Sequence, residues 1–515
     1  MLHFTRKYAE KITGILSGFD RVVFRGILRT LMYLDGMRRH LSRADVPRRE
    51  FARHVERMTE TLKEASLAEA HRLTRPVIYL ASSETRKEAV ARRVLEENPV
   101  DQGLICVLKC VEPCRTYTMH KNAGTKQLEL VHHRGKCLFL YHYYLDPVFG
   151  FMNARIQTWY PFPVQICVNG REWLRRRMDE EGLGYRAYEN SFPYLEDVDR
   201  AQRLMDEFLT LNWPESLNAI LYRLDPAHDQ LFGSTWRYYW TAHQTEWATD
   251  IMFRSPDDLA RLYPRLVWGA IATFSTPRIM RFLGKRFRVT FEGTATSYYT
   301  QRPEGLSVKH QVEGNGLKMY DKGGSMLRVE STLNNPRHLK VFRATEGGDP
   351  TKKAWYPLRK GTADFHRRAQ VCQRANERYL DALAQFDTDT TLAQLLTPVC
   401  RRVSYKGAKM RALRPGSEHD HALLRFINRP EYLTAGFSNR DLAAVLFPRQ
   451  QATAQTRRAA SGKTSYRIRL LRAHGLIAKL PNLRRYRITP KGQKVATALL
   501  LAQHATVNQL NAKAA

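Results

Sequence analysis

The stretch YHYYLDPVFGFMNARIQTWYPF, residues 141–162, decides the fold class. Two strand-like runs, CLFLYHYYL (137–145) and FMNARIQTWY (151–160), flank Asp146-Pro147, a pair that ends a strand and starts a turn. Strand, turn and strand over so short a span predict an antiparallel hairpin. Working outward, TYTMH (116–120), LELVHH (128–133) and VQICV (164–168) read as further strands. Lys121-Asn122-Ala123-Gly124 and Arg134-Gly135 supply the other turns, and REWLRRRMDEEG (171–182) follows as a helix ending at a glycine. Residues 115–195 thus read as an antiparallel meander plus a helix.

Upstream, GFDRVVFRGIL (18–28) reads as a strand, and residues 48–72 carry charges at helical spacing. RPVIYLAS (75–82), TRKEAVARRVLEEN (85–98) and GLICVLKCVE (103–112) then give a strand, a helix and a strand, so residues 1–114 form a small α/β region. Downstream, residues 196–290 read as mainly helical. FRVTFEG (287–293), LSVKHQVEGN (306–315), GLKMYDKGG (316–324) and SMLRVESTL (325–333) form a second strand cluster, completing a segment over 196–350. Residues 351–417 read as a basic helical connector: HRRAQVCQRANERYLDALAQF (366–386) is a long helix and VSYKGAKMRALRPGSEH (403–419) a linker broken at Pro415-Gly416-Ser417. The expected fold class is α+β, multidomain, with an antiparallel sheet body and a separate C-terminal domain over 418–505.

Charge narrows the function. The chain carries 83 Lys and Arg against 50 Asp and Glu, a formal net charge of +33. Residues 431–515 hold 15 Lys and Arg against 2 Asp and Glu, and residues 351–430 hold 16 against 7. Two thirds of the surplus therefore sits in the last third of the chain. Such a surplus repels itself unless a polyanion neutralises it, and nucleic acid is the usual one. No apolar run approaches the roughly 18 residues of a membrane span, so no membrane partner is expected. The N-terminus MLHFTRKYAEKITGIL has no apolar core of a signal peptide, and seven cysteines, an odd number, suit a reducing cytoplasm. Cys106, Cys110 and Cys114 are spaced by four rather than in the pairs of a structural zinc site, which favours buried thiols. No phosphate-binding loop, dinucleotide fingerprint or nucleophile elbow is present, so ATPase, dehydrogenase and serine hydrolase chemistry find no support.

The C-terminal residues give the sharpest pattern. HALLRFINRP (421–430) reads as a helix, and FSNRDLAAVLFP (437–448) as a second, capped by Ser438 with Asp441 three residues on and stopped by Pro448. TRRAASGKTSYRIRLLRAHGLI (456–477) is a third, with Thr464, Ile468 and Leu471 able to face a core and Lys463, Arg467 and Arg469 on polar sides. Gly475 lets the chain reverse. Residues 477–480 and 485–488 read as a hairpin about Pro481-Asn482, and TPKGQKVATALLLAQ (489–503) as a closing helix with Pro490 at its first position.

The order of these elements, with the words LRAHGLIAKL and RRYRITPKGQ, resembles the winged helix-turn-helix domains of bacterial regulators of the multiple-antibiotic-resistance type. The resemblance spans about one sixth of the chain. It implies that the third helix enters the major groove of duplex DNA and that the wing lies on phosphates. Lys463, Ser465, Tyr466, Arg467 and Arg469 would then approach bases or backbone, and Arg484, Arg485 and Arg487 would contact phosphate. The other use of such a domain is protein contact, which the absence of acidic residues from the third helix onward disfavours.

Two upstream constellations carry chemistry. In NGLKMYDKGGSMLRVEST (315–332), Lys318 and Tyr320 share one face of a strand, and Arg328 and Glu330 share one face of the next. A tyrosine that attacks a phosphodiester needs a cation beside its phenolate and an acid to hold a metal. The pattern resembles the Tyr-Asp-Lys and Arg-x-Glu stretch of rolling-circle replication initiators, which implies Tyr320 or one of Tyr298 and Tyr299 as nucleophile and Glu330 as ligand of a divalent metal. The chain departs from that family in lacking a His-hydrophobic-His triplet. The plainer reading is a surface hairpin of cross-strand charge pairs. In residues 141–162, His142, Tyr144 and Asp146 alternate on one strand and Asn153, Arg155 and Gln157 on the next. Paired, they would form a polar sheet face able to hold phosphate or metal, with Tyr143, Tyr144, Trp159 and Tyr160 available to stack bases. Three functions therefore remain open: a DNA-binding, DNA-nicking protein of a bacterial mobile element or replicon; a non-catalytic transcriptional regulator; and an RNA-binding protein.

Overall fold

The computed structural model describes residues 2–224, 227, 231–233, 236–285, 291, 293–345, 347–386, 390–429, 432, 436–448, 454–480 and 483–504. The helices are α1 (Leu2–Lys7), α2 (Leu34–Arg43), α3 (Phe51–Arg72), α4 (Lys87–Glu97), α5 (Gly170–Glu180), α6 (Val198–Glu207) and α7 (Trp213–Leu224). They continue as α8 (Pro256–Thr273), α9 (Thr276–Phe282), α10 (Phe365–Phe386), α11 (Leu392–Leu396), α12 (Glu418–Ile427), α13 (Asn439–Leu446), α14 (Ala454–Ala473) and α15 (Pro490–His504). The strands are β1 (Ile12–Ile27), β2 (Val77–Leu80), β3 (Gly103–Lys121), β4 (Leu128–Asp146), β5 (Gly150–Gln157), β6 (Val164–Asn169), β7 (Tyr185–Tyr188), β8 (Ser191–Leu195) and β9 (Tyr239–Phe253). Then come β10 (Ala295–Arg302), β11 (Gly305–Val312), β12 (Asn315–Lys322), β13 (Met326–Leu333), β14 (Lys340–Arg343) and β15 (Ala354–Pro357). The last four are β16 (Val403–Tyr405), β17 (Ala408–Met410), β18 (Ile477–Lys479) and β19 (Tyr486–Ile488).

The chain divides into two compact units. The larger comprises residues Lys11–Pro256 and Gly314–Asn376. It is built on a sheet in which β12, β13, β9, β1, β6, β5, β4, β3 and β2 lie side by side in that order. The neighbours pair antiparallel except β2 and β3, the parallel strands joined through α4. The fold is thus mixed α/β with a large, mostly antiparallel sheet, and the meander and the strand–helix–strand unit both belong to it. The division expected between residues 114 and 115 falls inside β3, which runs on to Lys121.

Aromatic packing fixes the sheet to its helices. Phe19 of β1 stacks on Phe365 at 4.5 Å and meets Trp247 of β9 edge-on at 4.9 Å. Phe24 lies 4.5 Å from Trp213 of α7. Helix α5 starts where Asn169 accepts from the backbone N–H groups of Arg171 and Glu172. Its first residue must be glycine, because a Cβ on Gly170 would stand 2.1 Å from the carbonyl oxygen of Phe19.

Three expectations are corrected here. Arg134-Gly135 is no turn: both residues continue β4 and pair with Arg115 and Cys114, so LELVHH and CLFLYHYYL are one strand. Residues 239–253, expected to be helical, form β9, the strand between β1 and β13. Its last seven residues are all buried, so the alternation that marks a half-exposed strand is missing. The basic linker over 403–419 is not a linker: β16 and β17 form a hairpin, and Met410 and Leu413 join a hydrophobic core with Leu423, Leu442 and Leu471. The expected strand over 287–293 lies mostly outside the described residues.

The second unit comprises Met1–Glu10, Asp257–Glu313 and Glu377–Ala515. It contains the β10–β11 hairpin and all elements from α11 to α15. In it Phe274, Phe282, His310 and Tyr379 pack as an aromatic group with centroids 4.8 to 5.9 Å apart.

Candidate nucleic-acid interface

In the second unit, Ser417 accepts from the backbone of Asp420 to start α12, and Ser438 and Asp441 form a reciprocal capping box on α13. Helix α14 buries Thr464, Ile468, Leu470 and Leu471 against Leu423, Phe426, Phe437 and Leu442. Gly475 takes φ +71°, the left-handed turn after α14 that glycine alone accepts readily. The β18–β19 hairpin follows, pairing Ile477 with Ile488 and Lys479 with Tyr486. Its expected turn at Pro481-Asn482 lies outside the described residues. Thr489 caps α15, its hydroxyl accepting from Gly492 and donating to the carbonyl of Gly475.

The side chains expected to meet DNA separate into two sets. Lys463, Ser465, Tyr466 and Arg469 on α14, and Arg484 and Arg487 beside or on β19, are exposed. Arg467 is held back, 3.8 Å from the buried carboxylate of Asp420. Arg485 donates to the carbonyl of Gly436 at 2.7 Å and stands 3.6 Å from Asp441. These two arginines, only partly exposed, tie the module together. Asp420, though burial pushes its carboxyl up, is held below its ordinary range by hydrogen bonds from Arg411 and the backbone of Arg414. Arg440 on α13 and Arg458 on α14 are exposed as well. Their signal was the same excess of unpaired arginine.

In the larger unit, the β12–β13 hairpin forms, with Lys318 opposite Glu330 and Tyr320 opposite Arg328. The Tyr320 hydroxyl donates to Glu330 at 2.6 Å, and the Lys318 ammonium lies 4.0 Å from the same carboxylate. The hairpin is not on the surface. Arg328 is fully buried, pairs with Asp250 on β9 and reaches Asp20 on β1 at 3.4 Å. Arg171 of α5 adds a second cation 3.1 Å from Asp250. Burial, then Glu330, pushes the Tyr320 phenol upward, so it keeps its proton as a donor rather than standing ready as a phenolate. Burial also raises Asp20, whereas Arg328 and Arg171 overcome burial to hold Asp250 low. Asp20, Arg171 and Asp250 were missed in the sequence because they lie far from the hairpin in the chain. Tyr298 and Tyr299 sit exposed on β10, in the other unit. Among the described residues, no group of three or more His, Cys, Asp or Glu side chains is arranged to hold a metal ion.

The second constellation does not assemble as expected. The three residues between β4 and β5 set Asp146 opposite Gly150, so His142 faces Ala154 and Tyr144 faces Met152. His142, Tyr144 and Asp146 therefore lie on the opposite sheet face from Asn153, Arg155 and Gln157, which stand across from Tyr143, Tyr141 and Phe139. His142 is buried against Ser66 at 3.1 Å, its pKa lowered by burial to about 4. Asp146 accepts from the turn backbone and pairs with Arg223 at 2.7 Å. Gln157 is also buried and donates to the carbonyls of Arg115 and Trp159. Tyr143 and Tyr160 are buried, and Tyr144 and Trp159 pack partly buried against the core, so this sheet presents no stacking platform there.

Asn153 and Arg155 do face an open cleft. Its floor is the face carrying Arg21, Gln165, Cys167, Asn153 and Tyr141, its wall is the start of α4, and its volume is about 640 Å³. Arg155 pairs with Glu112 at 2.6 Å and stacks over Phe139 at 3.8 Å. Cys106, Cys110, Cys114 and Cys137 are buried free thiols, and burial pushes Cys106 to about 12. No family model, curated protein or solved structure matches the chain.

Proposed function

We propose that this protein binds duplex DNA, with residues 418–504 acting as a winged helix-turn-helix in which α14 enters the major groove and the β18–β19 hairpin is the wing. One observation carries the reading: α14 buries Thr464, Ile468 and Leu471 while Lys463, Ser465, Tyr466 and Arg469 stand exposed, as do Arg484 and Arg487 of the hairpin. No acidic residue follows Asp441 in the chain, so nothing on either element repels phosphate. The reading is confined to binding. Tyr320 is a buried hydrogen-bond donor to Glu330, which supports a structural rather than a nucleophilic role.

The test is retardation of a labelled duplex by the full chain and by a Lys463→Ala/Arg469→Ala/Arg487→Ala variant. Each lost phosphate contact reduces the salt slope by about 0.9. The expected result is a slope shallower by about 2.7 with affinity down at least tenfold. Unchanged affinity in a variant with an unchanged melting temperature refutes the reading.

A further inference from the structure

The open cleft of the larger unit is the least explained feature of the molecule. Its lining includes Arg21, Arg86, Lys87, Arg92 and Arg155 but only one carboxylate, Glu88. Glu112 of β3, next to the lining, pairs with both Lys87, at 2.9 Å, and Arg155, at 2.6 Å. Glu88 pairs with Arg92 at 2.8 Å. Glu246 of β9 stands across from Arg21 in the β1–β9 register and accepts from Gln244, so five cations face three carboxylates. Arg21 and Arg86, both exposed, have no carboxylate within ion-pair distance among the described residues. Concentrating like charge on one face costs energy unless an anion occupies it.

The geometry points to the phosphodiester backbone of a single nucleic-acid strand as that anion. The lining runs from His243 and Gln244 of β9 across β1, β6 and β5 to Tyr141 of β4. With neighbouring strands about 4.8 Å apart, this spans about 19 Å. That is too long for one small anion and suits about four nucleotides, the lower end of single-strand site sizes. Gln165, Asn153 and Gln244 add neutral donors along the same path. Recognition is of the backbone: Tyr141 and Tyr143, the aromatic residues of the floor, are buried and offer no open ring face. This site is separate in sequence and chemistry from the duplex-binding surface proposed above.

Fluorescence anisotropy with the full chain tests it, using an oligothymidylate of about twenty residues and an oligouridylate of equal length as probes. The variants are Arg21→Glu/Arg86→Glu and the conservative Arg21→Lys/Arg86→Lys, with Arg21→Gln/Arg86→Gln used if charge reversal lowers the melting temperature. The expected result is binding of at least one probe, weakened tenfold or more by Glu or Gln and retained by Lys. The salt slope should fall by about 1.4, at about 0.7 per single-strand phosphate contact. Retention of oligothymidylate identifies DNA as the source of the strand, and retention of oligouridylate alone identifies RNA. Duplex retardation should be unchanged in these variants, and single-strand binding should survive in Lys463→Ala/Arg469→Ala/Arg487→Ala. The cleft assignment falls if neither probe binds, if the Glu and Gln variants bind as the parent does, or if pyrophosphate competes as well as an equal concentration of oligonucleotide. Loss of single-strand binding in the C-terminal variant alone also overturns it, while leaving the duplex reading intact.

Discussion

Arg328 shows how much one buried cation organises. It is fully buried, and its guanidinium pairs with Asp250, approaches Asp20 at 3.4 Å and approaches Glu330 at 3.6 Å. It also donates to the carbonyl of Asn190 at 2.7 Å. Removing it leaves buried carboxylates without their main partner, and losses of this kind cost about 3–5 kcal/mol. Arg328→Met should therefore lower stability by that order in urea denaturation, with Arg171 beside Asp250 limiting the damage. A loss under about 1 kcal/mol would mean that the carboxylates are solvated or protonated in the folded state. The hairpin around Tyr320 was legible because Gly323-Gly324 marks a turn; its three residues, Gly323 to Ser325, set Lys318 against Glu330. Its burial was not, because the acids that receive Arg328 come from residues 20 and 250.

At the scale of elements, the hairpins and capped helices were the readable parts. Asp146-Pro147, Ser438 with Asp441, and Gly475 each impose a local conformation that does not depend on the rest of the fold. Strand β9 was not readable, because β1 and β13 flank it and its last seven residues are buried, which erases the two-residue period. The polar sheet face failed for a related reason. Alternation shows which residues share a face within one strand, but only the register with the next strand shows which faces coincide. Close packing between elements is equally hidden in the chain. Gly170 lets α5 begin against the backbone of β1, and the nearest atom to an added Cβ is a carbonyl oxygen that cannot swing aside. Gly170→Ala should lower stability by about 1–3 kcal/mol, the range of overpacking, read as a drop in the urea midpoint at constant slope. An unchanged midpoint would show that α5 shifts without cost.

At the scale of the whole molecule, charge is the governing quantity. A formal net charge of +33 on 515 residues favours association with polyanions over solubility alone. No helix among the described residues is long and apolar enough to cross a membrane. Some of the acids are spent inside the fold: Asp250 on Arg328, Asp420 on Arg411, Asp364 on Arg359 and Arg367. Arg469, Arg484 and Arg487 on α14 and the hairpin have no carboxylate within ion-pair distance among the described residues, which suits a phosphate-binding surface. The most direct measurement is the affinity of the full chain for a random-sequence duplex, followed by anisotropy between about 50 and 200 mM salt. Six exposed cations, Arg440, Arg458, Lys463, Arg469, Arg484 and Arg487, predict a log–log slope near −5 and a loss of affinity of about a thousandfold over that range. A slope shallower than about −1, or no binding at the lowest salt, would contradict the account.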